Sequence, residues 1–482
     1  MELLDVTAVL VTLAAILAYL NHRVLRLPTT VGLMLLALIH AVAVLGLGKV
    51  YPPALDWVQL LIGSIDFNET LMHGMLGYLL FAGALHINLA DLRQQKFVIA
   101  LLATLGVLLT TAIVGSLTYL ITHALGIEIR FIHCLIFGSV IAPTDPIAVL
   151  SIVKKLGAPK PLETKIAGES LFNDGVGVVV FIALMGIAGL GGGHGEPNVS
   201  HVTDALASQV ADEMIGHPPQ EGEQGHPSPI QEELHQDVAD TAQTAIEYSD
   251  IAKLFAFETG GGIAFGLALG LVAFVLLKSI DHYTTEILLS LAVVTGGYAL
   301  AHKLHVSGPL AMVVAGLLIG NHGRTFAMSD KTREHLDTFW ELVDELLNAV
   351  LFVLIGLEVL VLSFDGKYLL AGALAVPAAL LARFIAVGSV VRVLGKIRKR
   401  QFTPHAVKVM TWGGLRGGIS IAMALSFKDA LSKHAAEDAA TGNALLTMTY
   451  VVVAFSILVG GLTMGPLLRR YGLAGQGQAD GH

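Results

Sequence analysis

The sequence predicts an all-α polytopic membrane protein of 13 transmembrane helices, built as inverted six-helix repeats with crossed, unwound helices 5 and 12. Three observations predict this class. Of 482 residues, 54% are hydrophobic and only 14% are charged, where soluble chains carry about 25% charged residues. Apolar runs of membrane-crossing length recur from end to end. Lysine and arginine fall mainly on alternate connections between those runs. A chain with mean hydropathy +0.71 has too little polar surface to cover itself in water. That excludes a cytosolic enzyme, a disordered chain and a nucleic-acid binder. Cys134 is the single cysteine, so neither a disulfide framework nor a cysteine cluster for zinc is expected.

A crossing helix needs roughly 20 mostly apolar residues. Spans 1 and 2 are the apolar runs 5–26 and 28–47. Span 1 opens with Glu2 and Asp5, and its Arg23 and Arg26 follow the apolar run, so it is not a cleaved leader. Spans 3 and 4 are 70–90 and 97–125, with Arg93 and Lys96 between them. Span 5, 130–153, is interrupted by Pro143 and Pro146. Span 6, 162–190, carries Glu169 and Asp174 in an otherwise apolar helix.

The segment 191–250 is different. It holds 12 acidic residues, no lysine or arginine, three successive glycines and five histidines without ligand spacing. It reads as a solvated acidic loop. The formal net charge of −9 belongs to this loop, because the other residues hold 26 acids and 29 bases.

Span 7 is 251–278, span 8 is 283–302 and span 9 is 307–321. Span 10, 343–363, follows a charged run from Asp330 to Glu345 at helical spacing, expected to lie along the membrane surface. Spans 11, 12 and 13 are 368–394, 405–427 and 442–467. His86, Glu258, Glu286 and Glu358 sit near span ends and read as interface or packing residues.

Alternate connections, beginning with the one after span 1, hold 20 basic residues against 7 in the others. The positive-inside rule then places the N-terminus outside, the C-terminus in the cytoplasm and the acidic loop outside. It also supports an odd number of spans. The two basic residues that remain, Arg383 and Arg416, lie deep inside spans.

The two halves look alike. Met34-Leu35-Leu36-Ala37 pairs with Met312-Val313-Val314-Ala315, an offset of 278. Ala84-Leu85-His86-Ile87 pairs with Gly356-Leu357-Glu358-Val359, an offset of 272. The break at Asp145 pairs with one at Arg416, an offset of 271. The expected organisation is therefore a first repeat over 1–190, an extracytoplasmic loop over 191–250 and a linker helix over 251–278. A second, inverted repeat over 283–470 and a short tail over 471–482 follow. Inverted repeats with paired broken helices point to a secondary transporter with its site at the midplane.

Three stretches carry the chemistry. In Ala142-Pro143-Thr144-Asp145-Pro146 the prolines remove backbone donors and break the helix. Asp145 is a good N-cap with Pro146 after it, so a new half-helix is expected there. Freed carbonyls and the Thr144 hydroxyl become candidate cation ligands.

In Glu169-Ser170-Leu171-Phe172-Asn173-Asp174-Gly175-Val176-Gly177, helical spacing puts Glu169 with Asn173 on one face and Ser170 with Asp174 on the next. Intramembrane carboxylates are functional candidates by default. Asp174 suits a group that holds either a proton or a small cation. Gly175 and Gly177 let another backbone come close.

In Gly413-Gly414-Leu415-Arg416-Gly417-Gly418, four glycines loosen the helix around a buried cation. Glu169 is the expected partner of Arg416, which leaves Asp174 free. Arg383 is expected to line the cavity or to cap freed carbonyls.

These motifs resemble those of the monovalent cation:proton antiporter-1 family, the NhaP and sodium/proton exchanger group. Asn173-Asp174 is similar to its Asn-Asp pair, Thr144-Asp145-Pro146 to its unwound-helix motif and Gly413 to Gly418 to its Gly-Gly-Leu-Arg-Gly stretch. Leu351 to Glu358 resembles its gating-helix pattern. The resemblance covers all 13 spans. It implies that Thr144, Ser170 and Asp174 bind Na+, with Li+ accepted, and that Asp174 also takes the proton. It implies Asn173 beside them, Glu169 paired with Arg416 and Asp145 balancing half-helix ends. It further implies a homodimer in a lipid bilayer, no cofactor and no enzymatic activity.

With asparagine rather than aspartate at 173, one-for-one electroneutral exchange is expected. Potassium/proton exchange on the same scaffold is the alternative. A cation channel would need a repeated filter or charged rings. An intramembrane aspartyl protease needs two carboxylates sharing a proton in a Gly-x-Gly-Asp context, whereas Phe172-Asn173 precede Asp174. Two features depart from the family pattern. The acidic loop is long for a bacterial member, and the chain stops soon after Arg470, where animal exchangers continue into a large cytoplasmic tail. A bacterial inner (plasma) membrane is the expected location.

Overall fold

The computed structural model describes residues 3–48, 51, 53, 67–190, 256–323, 328–362, 365–398, 402–434 and 438–476. The acidic loop 191–250, the start of span 7 and residues 477–482 lie outside them. Among the described residues all regular structure is helical. In chain order the helices are α1 (Asp5–Leu25), α2 (Thr29–Gly48), α3 (Thr70–Leu85) and α4 (Leu89–Ala124). Next come α5 (Phe131–Ile141), α6 (Ile147–Lys155) and α7 (Lys160–Ile187). Then follow α8 (Ala256–Lys278), α9 (Tyr283–Lys303), α10 (Gly308–Gly323) and α11 (Asp330–Glu358). The last are α12 (Gly366–Arg398), α13 (Ala406–Trp412), α14 (Gly418–His434) and α15 (Ala439–Arg470). Eight of these, α1, α2, α4, α7, α8, α9, α12 and α15, are long and apolar enough to cross a membrane. The backbone polar groups of such helices are satisfied internally, which a bilayer demands.

Helix starts follow local chemistry. The Asn88 side chain accepts from the Ala90 amide at 2.8 Å and caps α4. Ser307, followed at the second helical position by Pro309, caps α10 through the Leu310 amide. Ser329 caps α11 through the Thr332 amide at 3.3 Å.

Two packed regions flank the site. In one, α4, α5, α7, α12, α14 and α15 share a core around Phe137, Met423 and Phe427. In the other, α3, α8, α9, α10 and α11 close around Phe81, Met312 and Trp340. Glycines 262, 266 and 270 repeat every fourth residue along α8. A Cβ at Gly266 would stand 2.5 Å from the Ala311 carbonyl oxygen, so α8 and α10 touch backbone to backbone. Helix α2 packs on α11, and α10 packs on α3.

One expectation changes here. The run from Asp330 to Glu345 is not a separate segment ahead of span 10. It is the first half of α11, continuous with the rest. Leu336 and Trp340 are fully buried, and the Trp340 indole donates to Ser290 Oγ at 3.0 Å. The acidic residues Glu341, Asp344 and Glu345 instead line an internal cavity. A wet cavity solvates charge as headgroups do, so the two arrangements give the same sequence pattern.

Candidate ion site at the crossing of two broken helices

The chain stops being helical at Ile141 and resumes at Ile147. Pro143 and Pro146 cannot donate to a ladder, so the break sits where the sequence places it. The Asp145 carboxylate accepts from the Ile147 amide at 2.9 Å and starts the second half-helix. The other break runs from Gly413 to Gly417, between α13 and α14. The two breaks cross. The Asp145 amide donates to the Leu415 carbonyl at 2.8 Å, forming a single antiparallel bridge. A Cβ on Gly417 would lie 2.5 Å from an Asp145 carboxylate oxygen, so only glycine permits the crossing. Helix α7 presses on the same place, with Gly177 against the Pro143 ring.

Thr144 is the hub of the predicted ligands. Its hydroxyl lies 3.3 Å from Ser170 Oγ and accepts from Asn173 Nδ2 at 2.8 Å. Its amide points to Asn173 Oδ1 at 3.4 Å, and its carbonyl accepts from the Ser170 hydroxyl. Asn173 therefore spends both ends of its amide on Thr144. It holds the unwound segment in place and presents no spare oxygen. Asp174 is one residue further on, 7% exposed, and lines the cavity together with Asp145. Among the described residues no hydrogen bond or ion pair engages the Asp174 carboxylate. The cavity measures about 530 Å³ and extends past His86, Lys154 and Lys160.

The charge pairing departs from expectation. Glu169 pairs with Arg383, not with Arg416. Arg383 makes a two-pronged bridge, Nη1 to Oε1 and Nη2 to Oε2, the second at 2.8 Å, with both side chains buried. Arg416 does what Arg383 was one candidate for. Its Nε donates to the Ile141 carbonyl at 2.8 Å and its Nη1 to the Gly414 carbonyl. Those carbonyls belong to the ends of α5 and of the α13 break. Helix C-termini carry partial negative charge, which satisfies a cation without a carboxylate. Arg383 sits on the uninterrupted α12, where no carbonyl is freed, so it takes the carboxylate.

All eight predicted residues thus lie in one neighbourhood, as free carboxylate, hydroxyl cluster, capping carboxylate and two distinct arginine contacts. Two further cavity residues, Asp344 and Asn348 of α11, were not picked out from the sequence. Their signal was present as two polar residues one helical turn apart, entering a hydrophobic span.

Residues 10–470 match the family model described as sodium/hydrogen exchanger, transmembrane. The Na+/H+ antiporter NhaP of Pseudomonas aeruginosa is 44% identical over 471 residues, 97% of each chain. The Na+/H+ antiporter NhaH of Halobacillus aidingensis is 29% identical over 98% of each chain. A solved sodium proton antiporter from Methanocaldococcus jannaschii aligns with a TM-score of 0.66 over 98% of this chain and 99% of its own. At 17% identity that likeness concerns the fold.

Proposed function

This chain belongs to the sodium/hydrogen exchanger family, and from that premise we propose that it exchanges one monovalent cation for one proton by competition at Asp174. It is a multi-pass membrane antiporter and not an enzyme. Na+ is the proposed cation, with Li+ accepted.

The observation that carries this reading is the contrast between two buried carboxylates five residues apart. Glu169 is neutralised by Arg383, while Asp174 faces the cavity without a countercharge among the described residues. A bare intramembrane carboxylate is costly. It is relieved either by a proton or by a cation, and occupancy by one excludes the other. Ser170 stands one helical turn before Asp174 on α7, and its hydroxyl lies 3.3 Å from that of Thr144. Asn173 is neutral and committed to Thr144, so no second exchangeable proton sits there. One-for-one, electroneutral exchange follows.

Access alternates as the two broken helices, α5 with α6 and α13 with α14, move with α4, α7, α12 and α15 against the remaining helices. Two inverted six-helix repeats among 13 spans underlie that motion. The packing supports the repeat relation, because the α2–α11 and α10–α3 contacts exchange under it. Lys154 and Lys160 at the cavity mouth lie on connections assigned to the inside. The cavity thus opens to the cytoplasm, with the N-terminus outside, in a bacterial inner membrane. The resemblance supports a homodimer.

The test is pH-gradient dissipation in proteoliposomes with Na+, Li+ or K+ added in turn, for the native protein and Asp174→Asn. A cation-triggered response that disappears in the variant supports the assignment and names the ion. Equal responses in both proteins would remove Asp174 from the site. A current that reverses with membrane potential would refute electroneutrality.

A further inference from the structure

We propose that the cavity holds a second cation station, reached before Asp174 and built from Asp344 and Asn348 of α11 with Thr30 and Ser420. The proposal rests on the antiport reading above and adds the step by which the cation arrives.

Asp344 and Asn348 are one turn apart. The Asn348 Nδ2 donates to the Asp344 carbonyl at 2.8 Å and to its carboxylate at 3.1 Å. That fixes the amide, with its nitrogen spent on Asp344. Its Oδ1 is left buried with no partner, on a residue only 4% exposed. The Thr30 and Ser420 hydroxyl oxygens are also buried and unpartnered. All four residues line the cavity that contains Asp174. Buried polar atoms are paired as a rule, and each exception asks for a cause.

The charge balance points the same way. Among the described residues no ion pair engages Asp344. Seven carboxylates line the cavity, among them Asp145, Glu341 and Glu345, against two lysines, Lys154 and Lys160. A carboxylate, an amide oxygen and two hydroxyls along one cavity offer oxygen donors alone, the kind that hard cations take. The occupant is a partly dehydrated alkali cation. Asp145 lines the same cavity as Asp344 and Asp174.

Two readouts test the proposal. The first is the apparent cation KM for antiport. Asp344→Asn should raise it about five-fold, the size of a partly screened charge contact. Asp344→Glu, which keeps the carboxylate, should stay near the native value. Glu345→Gln removes an equal charge from the next residue of the cavity wall and should leave KM within about two-fold. An equal rise in Glu345→Gln and Asp344→Asn would mean a diffuse acidic field, and would overturn the station.

The second readout is equilibrium binding of Tl+ to purified Asp174→Asn protein. One Tl+ per chain should remain, and Asp344→Asn added to that background should abolish it. Should the double variant not fold, Ser420→Ala and Thr30→Val in the same background should each weaken Tl+ binding. Absence of Tl+ from Asp174→Asn protein that is folded by its melting profile would overturn the station while leaving antiport at Asp174 intact. Absence of cation-driven proton flux in the native protein would instead strike the antiport reading itself.

Discussion

At the scale of single residues, the site depends on which cation meets which oxygen. Arg383 neutralises Glu169 and Arg416 gathers carbonyls. Breaking a buried pair by removing one partner costs about 3–5 kcal/mol. Arg383→Ala should therefore lower thermal stability sharply, and adding Glu169→Gln should recover much of the loss. A melting profile unchanged by Arg383→Ala would dismiss the pair as a structural element. Asn173 supplies a different prediction. Asn173→Ala removes both contacts to Thr144 and should weaken cation affinity by about tenfold, read as apparent KM in proteoliposomes. An unchanged KM would show that Thr144 is held by other means. The candidate ligands were legible in the sequence because charge and hydroxyl inside apolar spans are rare. The arginine partners were not. A sequence shows that two buried cations need partners, but the carbonyls that a break sets free point in directions only the fold decides.

At the scale of elements, the two breaks and the glycines around them were legible, since Pro143, Pro146 and Gly413 to Gly418 dictate interruption by covalent geometry alone. Gly417 is the sharpest case, because the crossing leaves no room for a methyl group beside Asp145. Gly417→Ala should abolish exchange or lower the yield of folded protein, whereas Gly395→Ala, where nothing lies within 4 Å, should be tolerated. Equal behaviour of the two variants in flux and yield would argue against the crossing. The first half of helix α11 was read as a segment ahead of its span, whereas it is one helix with it. Its period was right, but the charges at Glu341, Asp344 and Glu345 line a cavity, and charges that face a cavity and charges that face headgroups obey the same spacing. Trp340 and Leu336 carried the distinguishing signal, as large apolar residues four apart within the charged run.

At the scale of the whole molecule, the proposed competition for one carboxylate predicts how exchange responds to pH. On that proposal a proton at Asp174 excludes the cation, so cation binding is lost as pH falls and restored as pH rises. On the acid side, the apparent cation KM should grow about tenfold for each pH unit, measurable as cation titrations at fixed pH values. A KM indifferent to pH would rule out a shared site. The Asp145–Leu415 bridge and the Arg416 contact with Ile141 tie the two broken helices to each other. Thr144 in turn holds Ser170 and Asn173 of α7, so on the antiport proposal the candidate ligands move together. A cage that keeps its shape has the same intrinsic preference whichever face of the bilayer it meets. On the antiport proposal, vesicles of opposite sidedness should rank Na+, Li+ and K+ in the same order, and the direction of flow belongs to the gradients.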